Sequence, residues 1–289
     1  MRARLARALV ATLLLAATTA AARPASAQVA TSSTSTRTQP GTSATPPGGL
    51  PWSAGTSRAF FATMIDFGYL YLRPRLMLGY GRPHAAWVGL EANPIVSGAG
   101  LGGYGGLRAA YGGFDVRVGA RGYAAFERTY LLPEDSYERV TVASTVGERA
   151  AYLTLEGELN GTLPLGPGEL VGLGSLSYVL GVPDEQRVYE ETLRVIVDPP
   201  WVWRVRGGYV WFPIEGARHS LGLVIDVVGV PERDAITVRT GLVLRVVISR
   251  ALELRGSFVP AVLTPDGIGI LGGDFGELGL RWRWATDAE

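Results

Sequence analysis

Few groups in this 289-residue chain could perform covalent or acid–base chemistry. There is no cysteine, which excludes a thiol nucleophile, a disulfide scaffold and a cysteine-ligated metal centre. The two histidines, His84 and His219, lie far apart with no carboxylate pattern around them, a poor start for a metal site. His219 and Ser220 are neighbours, and neighbours on an extended strand face opposite ways, so they cannot pair as base and nucleophile. Glu156 and Glu158 share a face at i, i+2 spacing and could divide acid and base roles, but pairing with nearby arginines is the expected use. The run from Gly98 through Gly100 to Gly103 matches G-x-G-x-x-G. A dinucleotide site would need a helix after it, whereas Tyr104–Tyr111 continues as strand. No cofactor, metal or catalytic group is expected, and no enzymatic activity.

The chemically dense feature is a set of charges at alternate positions. One parity of successive segments holds Arg73, Arg75, Arg108, Arg117, Arg121, Arg204, Arg206, Arg239, Arg245, Arg255, Arg281 and Arg283. The same parity holds Glu91, Asp115, Glu127, Glu156, Glu158, Asp226, Glu253 and Glu277, so twelve cations meet eight acids. All 27 basic residues of the chain are arginine. Charges brought into an interior must be paired or wet.

The elements that carry these charges alternate with a period of two. In Phe114–Glu127 the even face is apolar (Phe114, Val116, Val118) while the odd face holds Asp115, Arg117 and Arg121. Ala151–Leu163 and Ile236–Ile248 repeat the pattern, which helical spacing would scramble. Similar alternation marks 70–81, 84–92, 101–111, 169–181, 201–212, 219–229, 251–262 and 276–285, eleven segments in all. If the short turns share one rim, an upward strand must precede 70–81, and Ala59–Phe67 is the candidate although no clear turn separates it from the next strand. Many of these segments exceed about 11 residues, long for soluble strands of about 5–6 and suited to bilayer-crossing strands of about 9–11. Connections at Gly81–Pro83, Tyr111–Gly113, Pro164–Gly168, Ile214–Ala217 and Ser249–Arg250 are short, while 128–148, 183–199 and 264–275 are long and polar. The two kinds are expected to alternate along the chain.

Strand 201–212 places Trp201 and Trp203 at one end of its outward face and Tyr209 and Trp211 at the other. Ten residues at about 3.3 Å, tilted about 40°, rise roughly 25 Å, the height of an apolar band between aromatic girdles. The last strand sets Leu278, Leu280, Trp282 and Trp284 against Glu277, Arg281 and Arg283. This resembles the terminal strand of bacterial outer-membrane β-barrels, although the chain continues past the aromatic residue into a tail, 286–289. The resemblance is to the class, covers about 57–285, and matches no particular family. It implies an all-β, closed, antiparallel up-and-down barrel of twelve strands, with ten or fourteen as alternatives. It also implies outer-membrane lipids and the barrel assembly machinery as partners, in a Gram-negative bacterium.

The first residues fit that setting. Arg2, Arg4 and Arg7 precede the uncharged run Ala8–Ala22 and the small residues Ala25-Ser26-Ala27, the layout of a cleaved signal peptide over 1–27. Removing it takes four arginines and no acid, leaving 23 arginines against 26 acids and no basis for a nucleic-acid partner. Residues 28–57 read as a flexible Ser/Thr/Pro/Gly-rich leader and 58–285 as the barrel.

The functional expectation is a porin-like pore for small, weakly anionic solutes with an arginine-lined lumen. The alternatives are a non-conducting structural or interaction barrel, a lipid-modifying enzyme, and a soluble barrel with its apolar face inward. In the pore reading, Asp184, Glu185, Glu190, Glu191 and Asp198 give the 183–199 loop an acidic mouth. Arginine introduced at outward Leu242 or Leu155 is expected to cost more than at inward Gly241 or Thr154.

Overall fold

A computed structural model describes Trp52 and residues 55–68, 71–213, 219–274 and 279–286. The signal-peptide segment, most of the leader, the 214–217 turn, Glu277, Leu278 and the tail beyond Thr286 lie outside the described residues.

Long alternating segments become long strands. They are β1 (Arg58–Gly68), β2 (Tyr71–Arg82), β3 (Ala86–Ser97), β4 (Gly100–Tyr111), β5 (Phe114–Thr129), β6 (Arg149–Leu165) and β7 (Gly168–Leu180). A small hairpin follows, β8 (Val188–Glu190) and β9 (Val195–Val197). The wall resumes with β10 (Trp201–Trp211), β11 (Ser220–Val230), β12 (Ala235–Val247), β13 (Leu252–Phe258), β14 (Ala261–Leu263) and β15 (Gly279–Ala285). Wall strands pair antiparallel with their chain neighbours, and β1 pairs with β15 from Ala62↔Ala285 to Gly68↔Gly279, leaving no free edge. Among the described residues this is a closed up-and-down barrel of twelve strands, with β14 extending the path of β13 along β12. No helix among the described residues is long and apolar enough to cross a membrane.

The 251–262 segment, expected as one strand, breaks at Val259–Pro260. Proline offers no ladder donor, and Val259 instead exchanges both backbone hydrogen bonds with Asp274.

One rim carries the short turns 83–85, 112–113, 166–167 and 248–251, and the β10–β11 connection, only partly described, also lies there. The other carries the long connections, but strict alternation fails there. The β1–β2, β3–β4 and β11–β12 links on the loop rim are short as well. The G-x-G-x-x-G run begins in one of these short turns and continues into β4, with Ser97 Oγ accepting from the backbone N–H of Ala99 and Gly100.

Inward glycines shape the wall. A Cβ on Gly241 would overlap the Phe258 carbonyl oxygen, and one on Gly106 would overlap Val118 and the Tyr104 hydroxyl. Outward Gly105, Gly157 and Gly172 have open space around them. Curling the sheet crowds its concave side, so glycine is needed there. Gly241 and Thr154, expected to take arginine at lower cost than the outward leucines, are not open positions: Gly241 has no room for a Cβ and Thr154 is completely buried.

Candidate functional site: the barrel interior

The outward parity is apolar and bare. Leu107 is 62% exposed and Val118 58%, with Leu78, Leu90, Leu155, Leu223, Ile225 and Leu242 also exposed. Aromatic residues gather at both ends of this band. Phe67, Phe126, Tyr178, Trp201 and Trp203 stand toward the loop rim. Tyr80, Tyr111, Phe114, Tyr209, Trp211, Trp282 and Trp284 stand toward the turn rim. The Tyr178 and Trp201 rings meet edge to face at 4.7 Å.

The inward parity carries the charges, and none of its twelve arginines is an exposed residue. Glu127 departs from the pattern. The register between β5 and β6 shifts between Ala124 and Thr129, and Glu127 becomes exposed beyond the shift.

The three long loops, expected to be polar and outside, fold over and into the loop end. β8 and β9 are wholly buried, and Val188, Val195 and Val197 pack on Tyr152, Val179, Val202 and Val228 of the wall. Leu131, Tyr137, Val142, Tyr189, Ile196 and Ile268 form a second apolar cluster among the three loops. Backbone bonds stitch the loops together: Leu131 and Arg187 exchange both N–H···O bonds at 2.8 Å. The Tyr189 hydroxyl donates to the Leu271 carbonyl at 2.7 Å. Arg233 grips Asp266 with both terminal nitrogens, at 3.0 and 2.8 Å.

Wall arginines fasten this plug from below. Arg239, 1% exposed, donates to the carbonyls of Gly272 (2.6 Å), Leu193 (2.6 Å) and Arg194 (3.1 Å). Arg121 donates to Glu156, Glu190 and Thr192, and Arg128 to Glu191 at 2.5 Å. Glu190 and Glu191 are thus turned into the barrel, and the acidic mouth expected of this loop is not present at these two positions. Burial raises Glu191 above the usual carboxylate range against the pull of Arg128, and pushes the Tyr189 phenol up to about 12. Burial alone would raise Asp274 too, but Arg206 and Arg204 hold it below its ordinary value.

The wall charges form four networks. Arg108 bridges Glu91 (2.5 Å) and Asp115 (2.8 Å). Arg117 and Arg121 meet Glu156, Glu158 and Glu190. Arg204, Arg206 and Arg239 share Asp226, and the first two also reach Asp274. The fourth lies on β12, β13, β15, β1 and β2. Glu253 takes Arg245 and Arg255 at 2.8 Å and Arg283 at 2.9 Å, with Arg281 at 3.9 Å. Arg281 also clamps Asp66, which Arg75 approaches at 3.5 Å. Among the described residues the first two networks each carry one more acid than arginine. The third carries one more arginine, and the fourth sets five arginines against two acids. Among the described residues the inward arginines that outnumber their printed acids gather on one side of the barrel rather than in a ring. Arg73 lies on the inward side of β2 above that wall.

The histidines are held by structure. His84 sits in the β2–β3 turn with its Nε2 at 3.0 Å from the Trp284 carbonyl, and burial lowers it to about 4, so it stays neutral. His219 Nδ1 accepts from the Val247 backbone N–H at 3.1 Å. Neither bonds a serine or a carboxylate, and no cluster of three metal-binding side chains occurs among the described residues.

No known family model matches the chain, and no curated protein is significantly similar to it in sequence.

Proposed function

We propose that the protein is an integral outer-membrane β-barrel of a Gram-negative bacterium, closed at its loop end by its own loops and non-conducting in that state. It presents the interlocked loops as its outer surface and has no catalytic role. The bilayer reading rests on the outward face. Bare Leu, Val and Ile ring the barrel between two aromatic zones, far more contiguous apolar surface than soluble monomers expose. An inward apolar face, as in a soluble barrel, would bury those leucines and expose the arginines, the reverse of what the wall carries. Lipids of the outer membrane and the assembly machinery that reads the last strand are the proposed partners. A detergent gel tests this: the unboiled protein should migrate apart from the boiled one, because a barrel without an edge resists unravelling. Identical migration, with a monodisperse protein in detergent-free buffer, contradicts membrane insertion.

A second reading, a pore for small anions, is supported by the wetness of the lower interior. The side chains of Arg245 and Arg255 remain 31% and 29% exposed although they face the lumen. In that reading the plug is a gate, and conduction requires the β8–β9 hairpin to leave.

A further inference from the structure

The interlocked loops sort their charges by sign. Arg128, Arg187 and Arg233 turn inward as fasteners: Arg128 holds Glu191, Arg187 holds Asp198 and the Tyr137 hydroxyl, and Arg233 holds Asp266. The other acids of these segments turn outward. Glu134, Asp135, Glu138, Asp184, Glu185, Glu232 and Asp234 are exposed, and none of them joins an ion pair among the described residues. Glu127 and Glu148 are exposed as well, so nine bare acids of the described loop rim stand against two bare arginines, Arg139 and Arg149. The loop-rim positions outside the described residues, 69–70 and 275–278, hold no arginine.

Hydrogen bonds set seven of these acids side by side. Arg187 donates to the Glu134 carbonyl at 2.5 Å and exchanges backbone bonds with Leu131. Asp184 and Glu185 precede it in a turn closed by the Gln186 N–H on the Pro183 carbonyl, so they lie beside Glu134 and Asp135. On the other flank Ser136 donates to the Pro265 carbonyl at 2.7 Å, the Tyr137 N–H donates to Asp266 at 3.1 Å, and Glu138 forms a bridge with Gly267. Asp266 in turn holds Arg233, whose chain neighbours are Glu232 and Asp234. The result is one acidic strip across the loops. Large apolar side chains stand bare along it: Leu132 is 73% exposed, Val140 76% and Ile270 61%. They are not misplaced core, because Leu131, Val142 and Ile268, one or two residues away, already fill the cluster beneath.

We infer that this strip is a docking surface for a basic polypeptide whose cations are interspersed with apolar side chains. The inference rests on the loops being the outer surface, as proposed above. Two features select the partner. The carboxylates are spread along the strip, which matches a row of lysine or arginine side chains, and no three acids converge as metal ligands among the described residues. Leu132, Val140 and Ile270 offer apolar contact that a hydrated metal ion or a lipid phosphate cannot use. Opposite potentials speed the encounter and fix its register. The loops are already fastened to one another, so docking costs little ordering on this side.

Fluorescence anisotropy of a short labelled peptide of alternating lysine and leucine tests this, with the full-length protein in non-ionic detergent and protein-free micelles as the blank. Saturable binding is expected, weakened by salt, and several-fold weaker for a peptide of equal charge with serine in place of leucine. Glu134→Gln, Asp135→Asn, Asp184→Asn and Glu185→Gln together should lower the affinity at least ~tenfold. Leu132→Ser with Val140→Ser should lower it several-fold at unchanged charge. All six side chains are exposed, so both variants should stay heat-modifiable. Should either not fold, Glu138→Gln with Ile270→Ser reads the same loss further along the strip. No binding above the blank, unchanged affinity in folded variants, or equal affinity for the serine peptide would each overturn the inference. So would displacement by millimolar magnesium beyond that by sodium at matched ionic strength, which would make the strip a cation site bridging to lipid phosphate. Loss of heat-modifiability counts against membrane insertion, whereas absence of peptide binding by a heat-modifiable protein counts against the docking surface alone.

Discussion

Where Arg121 and Arg239 meet the plug, the barrel interior changes character. On the loop side, Val188, Ile196, Val197 and Val202 are buried in contact with wall and loop, and buried charges such as Glu190 have several partners each. On the turn side, Arg117, Arg245 and Arg255 keep a fifth to a third of their side-chain surface. The same strands build both halves with the same inward parity. What differs is whether an apolar segment has been brought in to exclude water. Without one, arginine and carboxylate fill the lumen and remain wet. With one, the same residue types become fasteners whose removal leaves buried groups unsatisfied.

The contrast can be broken most forcefully at its boundary. Arg239→Met should destabilise the barrel by about 3–5 kcal/mol, because three loop carbonyls and Asp226 lose a buried donor. Arg245→Met, on the wet side, should cost about 1 kcal/mol or less, since water replaces what it loses. Denaturant unfolding in detergent micelles measures both, and equal losses would erase the distinction between the halves.

Next in size is the outer wall, which sharpens the comparison by supplying a third environment. Leu155→Arg should cost about 2–4 kcal/mol if that exposed side chain faces mid-bilayer. No loss in lipid would mean that the outward face meets water. Somewhat smaller is the effect of a single methyl group on the two sides of the wall. Gly241→Ala should cost about 1–3 kcal/mol because its Cβ overlaps the Phe258 carbonyl, whereas outward Gly172→Ala should stay within about 0.5 kcal/mol. A tolerant Gly241 would show that the wall relaxes where its curvature is tightest.

The smallest expected effect is on the plug's response to pH. Glu191 is raised above its ordinary 4.5, so its contribution is fully present below that value and is lost as pH rises through the raised one. Asp274 is held below its ordinary 3.8, so its contribution is present above that value and is lost as pH falls through the lowered one. Amide exchange of Val188–Val197, corrected for intrinsic rates, should show greatest protection between these two windows. Protection that climbs steadily from pH 4 to 7 would contradict this assignment.

The wall was legible in the sequence because its period is long and clean. Phe114–Glu127 and Ala151–Leu163 alternate over enough residues to define a face, and eleven such segments plus the strand that must precede the first of them make twelve. The plug was not legible, because Val188–Glu190 and Val195–Val197 are three residues each, too short for a period to declare itself. The acids around them read as a solvated loop, whereas Glu190 is buried against Arg121 and the Leu193 N–H. The arginines were identifiable one strand at a time. Their grouping into one cationic wall depends on β15 closing onto β1, which brings Arg281 to Asp66 across 215 residues. No local pattern encodes that neighbourhood. Nor does the sequence mark the register shift that turns Glu127 outward.

Whether the plug seals the barrel is measured directly by single-channel recording in planar bilayers. The unmodified protein should insert without conductance steps. A variant with Val188–Val197 replaced by a short Gly/Ser linker should give discrete steps, with a reversal potential favouring anions under a salt gradient. Steps of equal size from both proteins would contradict a sealed loop end.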